Sequence, residues 1–169
     1  MSSGKRELLI ICDASPLILL AKVGRLDLLR ALAVEIWIPS AVWKEAVLNG
    51  AGRPEAAVIA RELSCLGQSP DIELEAAFRL QVDAGEAAAL ALAARNRHAC
   101  LLMDDARGRA LAELNKLNCI GTLGWLVRAK RAGLLPALRP LFEQLRLAGW
   151  HIDERLLTGA LKAAGEHDH

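Results

Sequence analysis

The sequence predicts an α/β domain: a doubly wound parallel sheet with a helical appendage at its C-terminal end. Apolar runs of strand length occur at residues 7–12 and 99–103, and each ends abruptly in aspartate. Such runs are typical of strands buried on both faces of a parallel sheet. Helical sequence of more than a dozen residues separates them, as parallel pairing requires. We expect one domain over residues 7–165, with flexible ends at 1–6 and 166–169.

The first predicted helix follows the strand at 7–12 directly. Ser15 suits its N-cap, and Pro16 suits the first helical position, where the missing N–H has no intrahelical partner to lose. Helical sequence continues beyond a break near Gly24. Because Ser15 fits the cap, we expect the Asp13 side chain to point beyond the edge of the sheet.

The rest of the chain continues to alternate strand and helix. Residues 34–38 alternate polar and apolar side chains, which predicts a second strand, and residues 119–120 predict a short last one. Ser40 and Gly50 are suited to begin and end the helix between them. The later predicted helices cover about 41–49, 54–66, 85–95, 105–115, a segment ending near 132, 136–147 and 153–164.

Composition excludes several classes of function. The net charge is +1 and Tyr is absent, so neither a global attraction to nucleic acid nor an aromatic stacking surface is indicated. The chain lacks phosphate-loop, dinucleotide, serine-hydrolase and zinc-protease motifs. Cys12, Cys100 and Cys119 lie in predicted strands, and we expect buried free thiols. No apolar stretch reaches the length of a membrane span, and we expect a cytoplasmic protein without membrane contact.

Acidic residues stand where the predicted strands end. Asp13 follows the first strand, and Asp104 and Asp105 follow the later one. Ligands of open α/β sheets bind beyond these ends, so the acids should share one crevice. Repelling carboxylates persist together if a divalent cation neutralises them or if some stay protonated. Helix capping is the alternative role, and the sequence leaves open which of the adjacent aspartates faces the crevice.

Three further acids carry weaker local signals. Asp83 and Glu86 are three residues apart at the start of an Ala-rich helix, where the helix dipole alone would favour them. Glu45 lies in the middle of a predicted helix, where a solvated carboxylate is the ordinary interpretation. Several polar residues could contact a phosphate or serve only as solvated charges and caps. The candidate substrate-binding residues are Ser15, Lys22, Arg107, Arg109 and Thr122.

The motifs together resemble the PIN-domain family, in particular a prokaryotic branch with a Ser-Pro-Leu-Ile signature. They occur in the expected order and span residues 8 to about 165. The matching segments are Asp-Ala-Ser-Pro-Leu-Ile at 13–18, 20–24, 38–45, 85–93, 101–107 and Gly-Thr-Leu-Gly at 121–124. The resemblance implies a three-layer α/β/α fold and a Mg²⁺- or Mn²⁺-dependent ribonuclease site of three or four carboxylates.

By matching position, the resemblance assigns catalytic roles to Asp13, Glu45, Glu86 and Asp104 or Asp105. It implies that the metal is held by Asp13, Glu86 and one or both of those aspartates. The chain departs from the pattern at one point, since Gly and Glu at 85 and 86 replace an Asp-Ala pair common in toxin-type members.

The leading hypothesis is an endoribonuclease that hydrolyses RNA with a metal-activated water. Its resemblance to VapC-type toxins implies a small antitoxin partner and a homodimer. The alternative is a catalytically inactive PIN-like module that binds RNA or protein, which the near-neutral charge favours. A third hypothesis is a phosphotransfer receiver domain. It would require an Asp-x-Asp nucleophile or a Lys at a late strand end, and neither is evident in the sequence.

Overall fold

Four short strands form one parallel sheet in a computed structural model that describes residues 8–65 and 71–166. The strands are β1 (Leu9–Cys12), β2 (Glu35–Trp37), β3 (Cys100–Leu102) and β4 (Asn118–Ile120). Their order is β2-β1-β3-β4, and Cys12 lies opposite Leu102 in the central pair. The chain order reverses between β1 and β3, which places the crevice of a doubly wound sheet at their carboxyl ends.

Ten helices surround this sheet in the described part of the chain. Their bounds are α1 (Ala14–Lys22), α2 (Asp27–Leu32), α3 (Ser40–Trp43, continued by a π-helical turn over Lys44–Leu48), α4 (Pro54–Glu62), α5 (Ile72–Phe78), α6 (Ala84–Arg95), α7 (Ala106–Leu114), α8 (Thr122–Arg131), α9 (Arg139–Leu147) and α10 (Glu154–Ala163). The predicted α/β class is confirmed, and α5 is a helix that the sequence did not predict.

Alternating side chains of β1 divide the interior into two cores. Ile10 and Cys12 face one side, where they pack with apolar residues of α1, α2, α4 and α8 to α10. Leu9 and Ile11 face the other side, against the Ala-rich face of α6 together with α5 and α7. This alternation follows from the twofold period of a strand, and it confirms the three-layer α/β/α fold.

The C-terminal helices add to the first core without extending the sheet. Leu145 of α9 and Leu161 of α10 are buried in it, together with Trp125 of α8. The indole N–H of Trp125 donates to the backbone carbonyl of Leu28 at 3.2 Å, so the largest buried side chain also has its polar atom satisfied. The predicted helical appendage is therefore part of the packed domain.

Several predicted boundaries need correction. Asp13, not Ser15, occupies the N-cap position of α1, and Ser15 is exposed in the first turn. Likewise Pro39 precedes α3, and Ser40 is its first helical residue. The helix predicted over 54–66 ends at Glu62, where the next residue is extended. The turn expected near 67–70 and most of the flexible ends expected at 1–6 and 166–169 lie outside the described residues. Glu166 is described, and its carboxylate accepts hydrogen bonds from the backbone amides of Leu138 and Arg139.

The thiol prediction is confirmed in part. Cys12 is fully buried, whereas Cys100 and Cys119 are half-buried because β3 begins at the edge of its core and β4 is the outer strand. Cys12, Cys100 and Cys119 are free thiols. Among the described helices, none has the length and apolar character needed to cross a bilayer.

Candidate functional site

Asp13 lies at the centre of the crevice. Its backbone N–H donates to the carbonyl of Leu102 at 3.0 Å, which holds the end of β1 beside the end of β3. The side chain is only 3% exposed, and it makes no capping hydrogen bond to the N2 or N3 amide of α1. No ion pair with a described cation compensates its charge. Asp13 is thus a buried carboxylate at the end of β1, and its role as a ligand stays a prediction.

Glu45 reaches the same place from α3. It lies in the π-helical turn, in which the Asn49 N–H donates to the carbonyl of Lys44 five residues earlier at 2.7 Å. Gly85 of α6 lies next to both acids. A Cβ at this position would lie 2.9 Å from Glu45 Oε2 and 3.6 Å from Asp13 Oδ1. The absence of a side chain at Gly85 therefore lets both carboxylates approach the start of α6.

Glu86 and Asp83 form a capping box at that start. The Asp83 carboxylate accepts from the Glu86 N–H at 2.9 Å, and the Glu86 carboxylate accepts from the Asp83 N–H at 3.1 Å. This arrangement satisfies two amides that a helix N-terminus leaves unpaired. Asp83 was absent from the predicted site, although its spacing to Glu86 is the capping-box pattern. Burial, chiefly, raises the pKa of Asp13, Glu45 and Glu86, and the charge of Asp83 adds to each shift. For Glu86 the hydrogen bond from the Asp83 amide opposes the shift.

Asp104 follows β3, and its side chain is hydrogen-bonded to the start of α8. Its two oxygens accept from the backbone N–H and the hydroxyl of Thr122, at 2.7 and 2.5 Å. Thr122 is fully buried. The carboxylate thereby caps a helix that begins 18 residues later in the chain, and Thr122 fixes its orientation at the sheet edge.

Asp105 caps the next helix instead. Its side chain accepts from the Gly108 N–H at 2.9 Å, at the N-terminus of α7. It is exposed, and its charge acts on Glu86, whose pKa it raises. The adjacent aspartates thus point in different directions, Asp104 toward α8 and Asp105 toward α7 on the side of Glu86.

Burial and mutual repulsion shift the titration of the central acids. Burial, chiefly, raises the pKa of Asp13 from 3.8 to about 7, and the charges of Glu86, Asp83 and Glu45 add to it, while a hydrogen bond from the Ala14 amide opposes the shift. Burial also raises the pKa of Glu45 and of Glu86, again with repulsion from other acids. Four acids from three segments of the chain therefore share one electrostatic environment.

The predicted cationic contacts divide into near and distant residues. Arg109 lies beside Asp104, since a Cβ on Gly121 would meet Arg109 Nη1 at 2.5 Å and Asp104 Oδ1 at 3.0 Å. Arg107 is exposed in the first turn of α7. Lys22 is the last residue of α1, at the opposite end from Asp13, and its ammonium donates to the carbonyl of Ala148 at 3.4 Å. The structure does not bring Lys22 to the carboxylates.

A metal-binding arrangement is not complete in the described residues. No group of three or more Asp, Glu, Cys or His side chains there is close enough to hold an ion. The capping box turns Glu86 toward the Asp83 amide, and Thr122 occupies both oxygens of Asp104. The donor set nevertheless consists of carboxylate oxygens around a buried, uncompensated Asp13, which is the chemistry that suits a hard divalent cation.

Comparison with known proteins identifies the family of the chain. The family model DUF3368, described as PIN domain, matches residues 9–166. No curated protein and no solved structure matches the chain. The match includes every strand, the crevice and all of the acids above. The chain therefore belongs to the PIN-domain family.

Proposed function

We propose that this protein is a Mg²⁺- or Mn²⁺-dependent endoribonuclease. PIN domains are generally nucleases, and membership of the family supports a hydrolase of nucleic acid at that coarse level. The observation that carries the finer proposal is the convergence of Asp13, Glu45 and Glu86 at the start of α6, with Asp13 buried and lacking a cationic partner in the described structure.

Asp13, Glu86 and the Asp104-Asp105 pair are the residues that would hold the cation, with Glu45 beside them. A bound divalent ion would supply an activated water and neutralise charge on the scissile phosphate. Glu86 keeps Oε1 for an ion, because only Oε2 accepts the hydrogen bond from the Asp83 amide. Thr122 orients the Asp104 carboxylate by two hydrogen bonds, which is a positioning role.

The RNA would approach along the rim of the crevice. Ser15 is exposed two residues after Asp13, in the first turn of α1, and Arg107 is exposed two residues after Asp105. Both can donate hydrogen bonds to phosphate oxygens. A toxin role, with an antitoxin partner and a homodimer, is part of the proposal only through the resemblance to toxin-type PIN proteins.

A second candidate function is a PIN-like module that binds RNA or protein without cleaving it. Two observations favour it: no metal-binding group is assembled in the described residues, and the net charge is only +1. A weakly basic surface neutralises few phosphates, so its RNA affinity would be modest at physiological salt.

Cleavage of a mixed RNA substrate with Mn²⁺ distinguishes the two functions. We expect cleavage that EDTA abolishes, and we expect Asp13→Asn to lower the rate about a hundredfold or more because it removes a ligand. Glu143→Gln is the matched control, since it removes an exposed carboxylate on α9 and should leave the rate unchanged. RNA binding without cleavage by the folded wild-type protein would reject the nuclease.

A further inference from the structure

An open cleft of about 620 Å³ begins at Asp104 and runs along α7. Its volume lies in the range of small-molecule sites, about 300–1,000 Å³. The walls are mostly small or apolar, and they come from Ala106, Ala110, Leu117 and Cys119. The cleft is thus continuous with the carboxylate site and large enough for one nucleotide.

Two opposite charges project into this cleft without pairing. Arg109 and Glu113 both line it, one helical turn apart on α7. Neither forms a hydrogen bond or ion pair within residues 8–65 and 71–166, although an i, i+4 spacing permits one. Asp104, the third charged residue of the cleft, already accepts two hydrogen bonds from Thr122. Arg109 is therefore the available donor, and Glu113 the available acceptor.

Gly121 leaves room for the donor. A Cβ at this position would lie 2.5 Å from Arg109 Nη1, too close for both to fit without a shift. The guanidinium consequently lies against the backbone at the start of α8, at the end of the cleft nearest Asp104. A phosphate held there would be next to the proposed scissile phosphate.

We propose that this cleft is a subsite for one guanine nucleotide of a single-stranded RNA, adjacent to the bond that is cut. Arg109 binds the phosphate of that nucleotide, and Glu113 reads its base. The proposal rests on the proposed nuclease function, which identifies the polymer as RNA. What it adds is the preference for guanine at this position.

Guanine is the RNA base that matches a free carboxylate. A carboxylate is an acceptor with two oxygens, and it binds best to two adjacent N–H donors. Guanine presents such a pair, N1–H and N2–H, on its Watson–Crick edge. Adenine and cytosine each offer one amino group beside an acceptor nitrogen, and uracil offers one N–H between two carbonyls. An unstacked base of single-stranded RNA exposes this edge to a protein.

The test is RNA binding measured by fluorescence anisotropy in EDTA, which separates recognition from cleavage. The probes are four labelled heptamers, oligouridylates with G, A, C or U at the centre. The wild type should bind the G heptamer about tenfold tighter than the others, within the range of a bidentate base contact. Glu113→Gln should reduce that preference to less than about threefold without weakening the all-U heptamer. Arg109→Ala should weaken all four by a similar factor.

Arg155→Ala and Glu143→Gln are controls on the C-terminal helices, and each should bind as the wild type does. Equal affinity for all four heptamers, or a preference that Glu113→Gln leaves intact, would overturn the subsite. If the same preparation still cleaves RNA with Mn²⁺, the nuclease function survives that result. A Glu113-dependent preference in a protein that never cleaves would support the subsite and reject the nuclease.

Discussion

Asp13 combines two properties that ordinary structural acids lack: it is nearly inaccessible, and no described cation neutralises it. A buried carboxylate without a partner is unfavourable when ionised, since burial removes the water that stabilises its charge. The charges of the acids around it further increase the free energy of its ionised form. Such a residue contributes little to folding in its charged form, which is why a role in binding a cation explains it best.

The free energy of unfolding should fall as pH rises from about 4 to 7, in EDTA. The pKa of Asp13 is about 7 in the folded protein and 3.8 ordinarily, so the folded state binds the proton more tightly. Stability is then highest below about pH 4, where Asp13 is protonated in both states, and it declines until Asp13 is ionised in the folded protein above about pH 7. Asp13→Asn removes this term, and its gain in stability at pH 8 should exceed its gain at pH 5 by about 2 kcal/mol.

Urea unfolding of both proteins at the two pH values measures this difference. Glu143→Gln should show no pH-dependent gain, because its carboxylate is largely exposed. An equal gain for Asp13→Asn at both pH values would mean that the Asp13 pKa is ordinary.

Thr122→Val should destabilise the fold by about 1–2 kcal/mol, because it removes the buried hydroxyl that donates to Asp104 while nearly keeping the side-chain shape. The backbone bond to the same carboxylate remains. Urea unfolding gives the stability, and the cleavage rate reports whether Asp104 needs this orientation. Unchanged stability and unchanged rate would show that the hydroxyl does not position Asp104.

The sequence alone did not show which of Asp104 and Asp105 faces the crevice. The apolar run before this pair predicted that the two aspartates follow a strand. It could not show that Asp104 would cap α8, since the partner Thr122 is 18 residues away and the contact depends on the β3–β4 pairing. Long-range hydrogen bonds of this kind leave no local pattern.

At the scale of elements, the junction of α3 and α6 sets the spacing of the acids. The π-helical turn carries Glu45, and π-helical insertions occur frequently at functional sites. Gly85 lets the start of α6 come close to that carboxylate. A helix normally disfavours Gly by about 1 kcal/mol relative to Ala, so its presence there suits close approach rather than helix stability.

Gly85→Ala should lower the cleavage rate while leaving the fold as stable as the wild type or up to about 1 kcal/mol more stable. The added Cβ displaces only the flexible end of Glu45, 2.9 Å away, whereas Asp13 remains at ordinary contact distance. Gly159→Ala is the matched control, because a Cβ in α10 meets nothing within 4 Å. It should gain the same stability and keep full activity. A Gly85→Ala protein with normal activity would argue that Glu45 has no role.

Most elements were predictable because their hydrophobic patterns are strong. The strands β1 and β3 are continuous apolar runs, and α6 is rich in Ala and Leu. The helix α5 was missed because it is short and only Phe78 in it is buried. Its start was signalled by Asp71, whose side chain caps the Leu74 amide in the helix. The π-helical turn could not be predicted, since it depends on packing and not on local residue preference.

At the scale of the whole molecule, topology brings the acids together. The order β2-β1-β3-β4 places the ends of β1 and β3 side by side, and the N-termini of α6 and α8 lie at the same edge. Acids more than 90 residues apart in the sequence thereby meet in one crevice. Sequence patterns and the resemblance predicted that these acids lie near one another. They did not predict the hydrogen bonds that each carboxylate makes, such as those of the capping box that holds Glu86.

Binding of Mn²⁺ by isothermal titration calorimetry tests the central claim, that these acids form a site for a divalent cation. The wild type should bind Mn²⁺ saturably, and Asp13→Asn should weaken that binding about tenfold or more. Glu143→Gln should bind as the wild type does. Equal binding by the wild type and Asp13→Asn, or no binding by the folded wild-type protein, would contradict it.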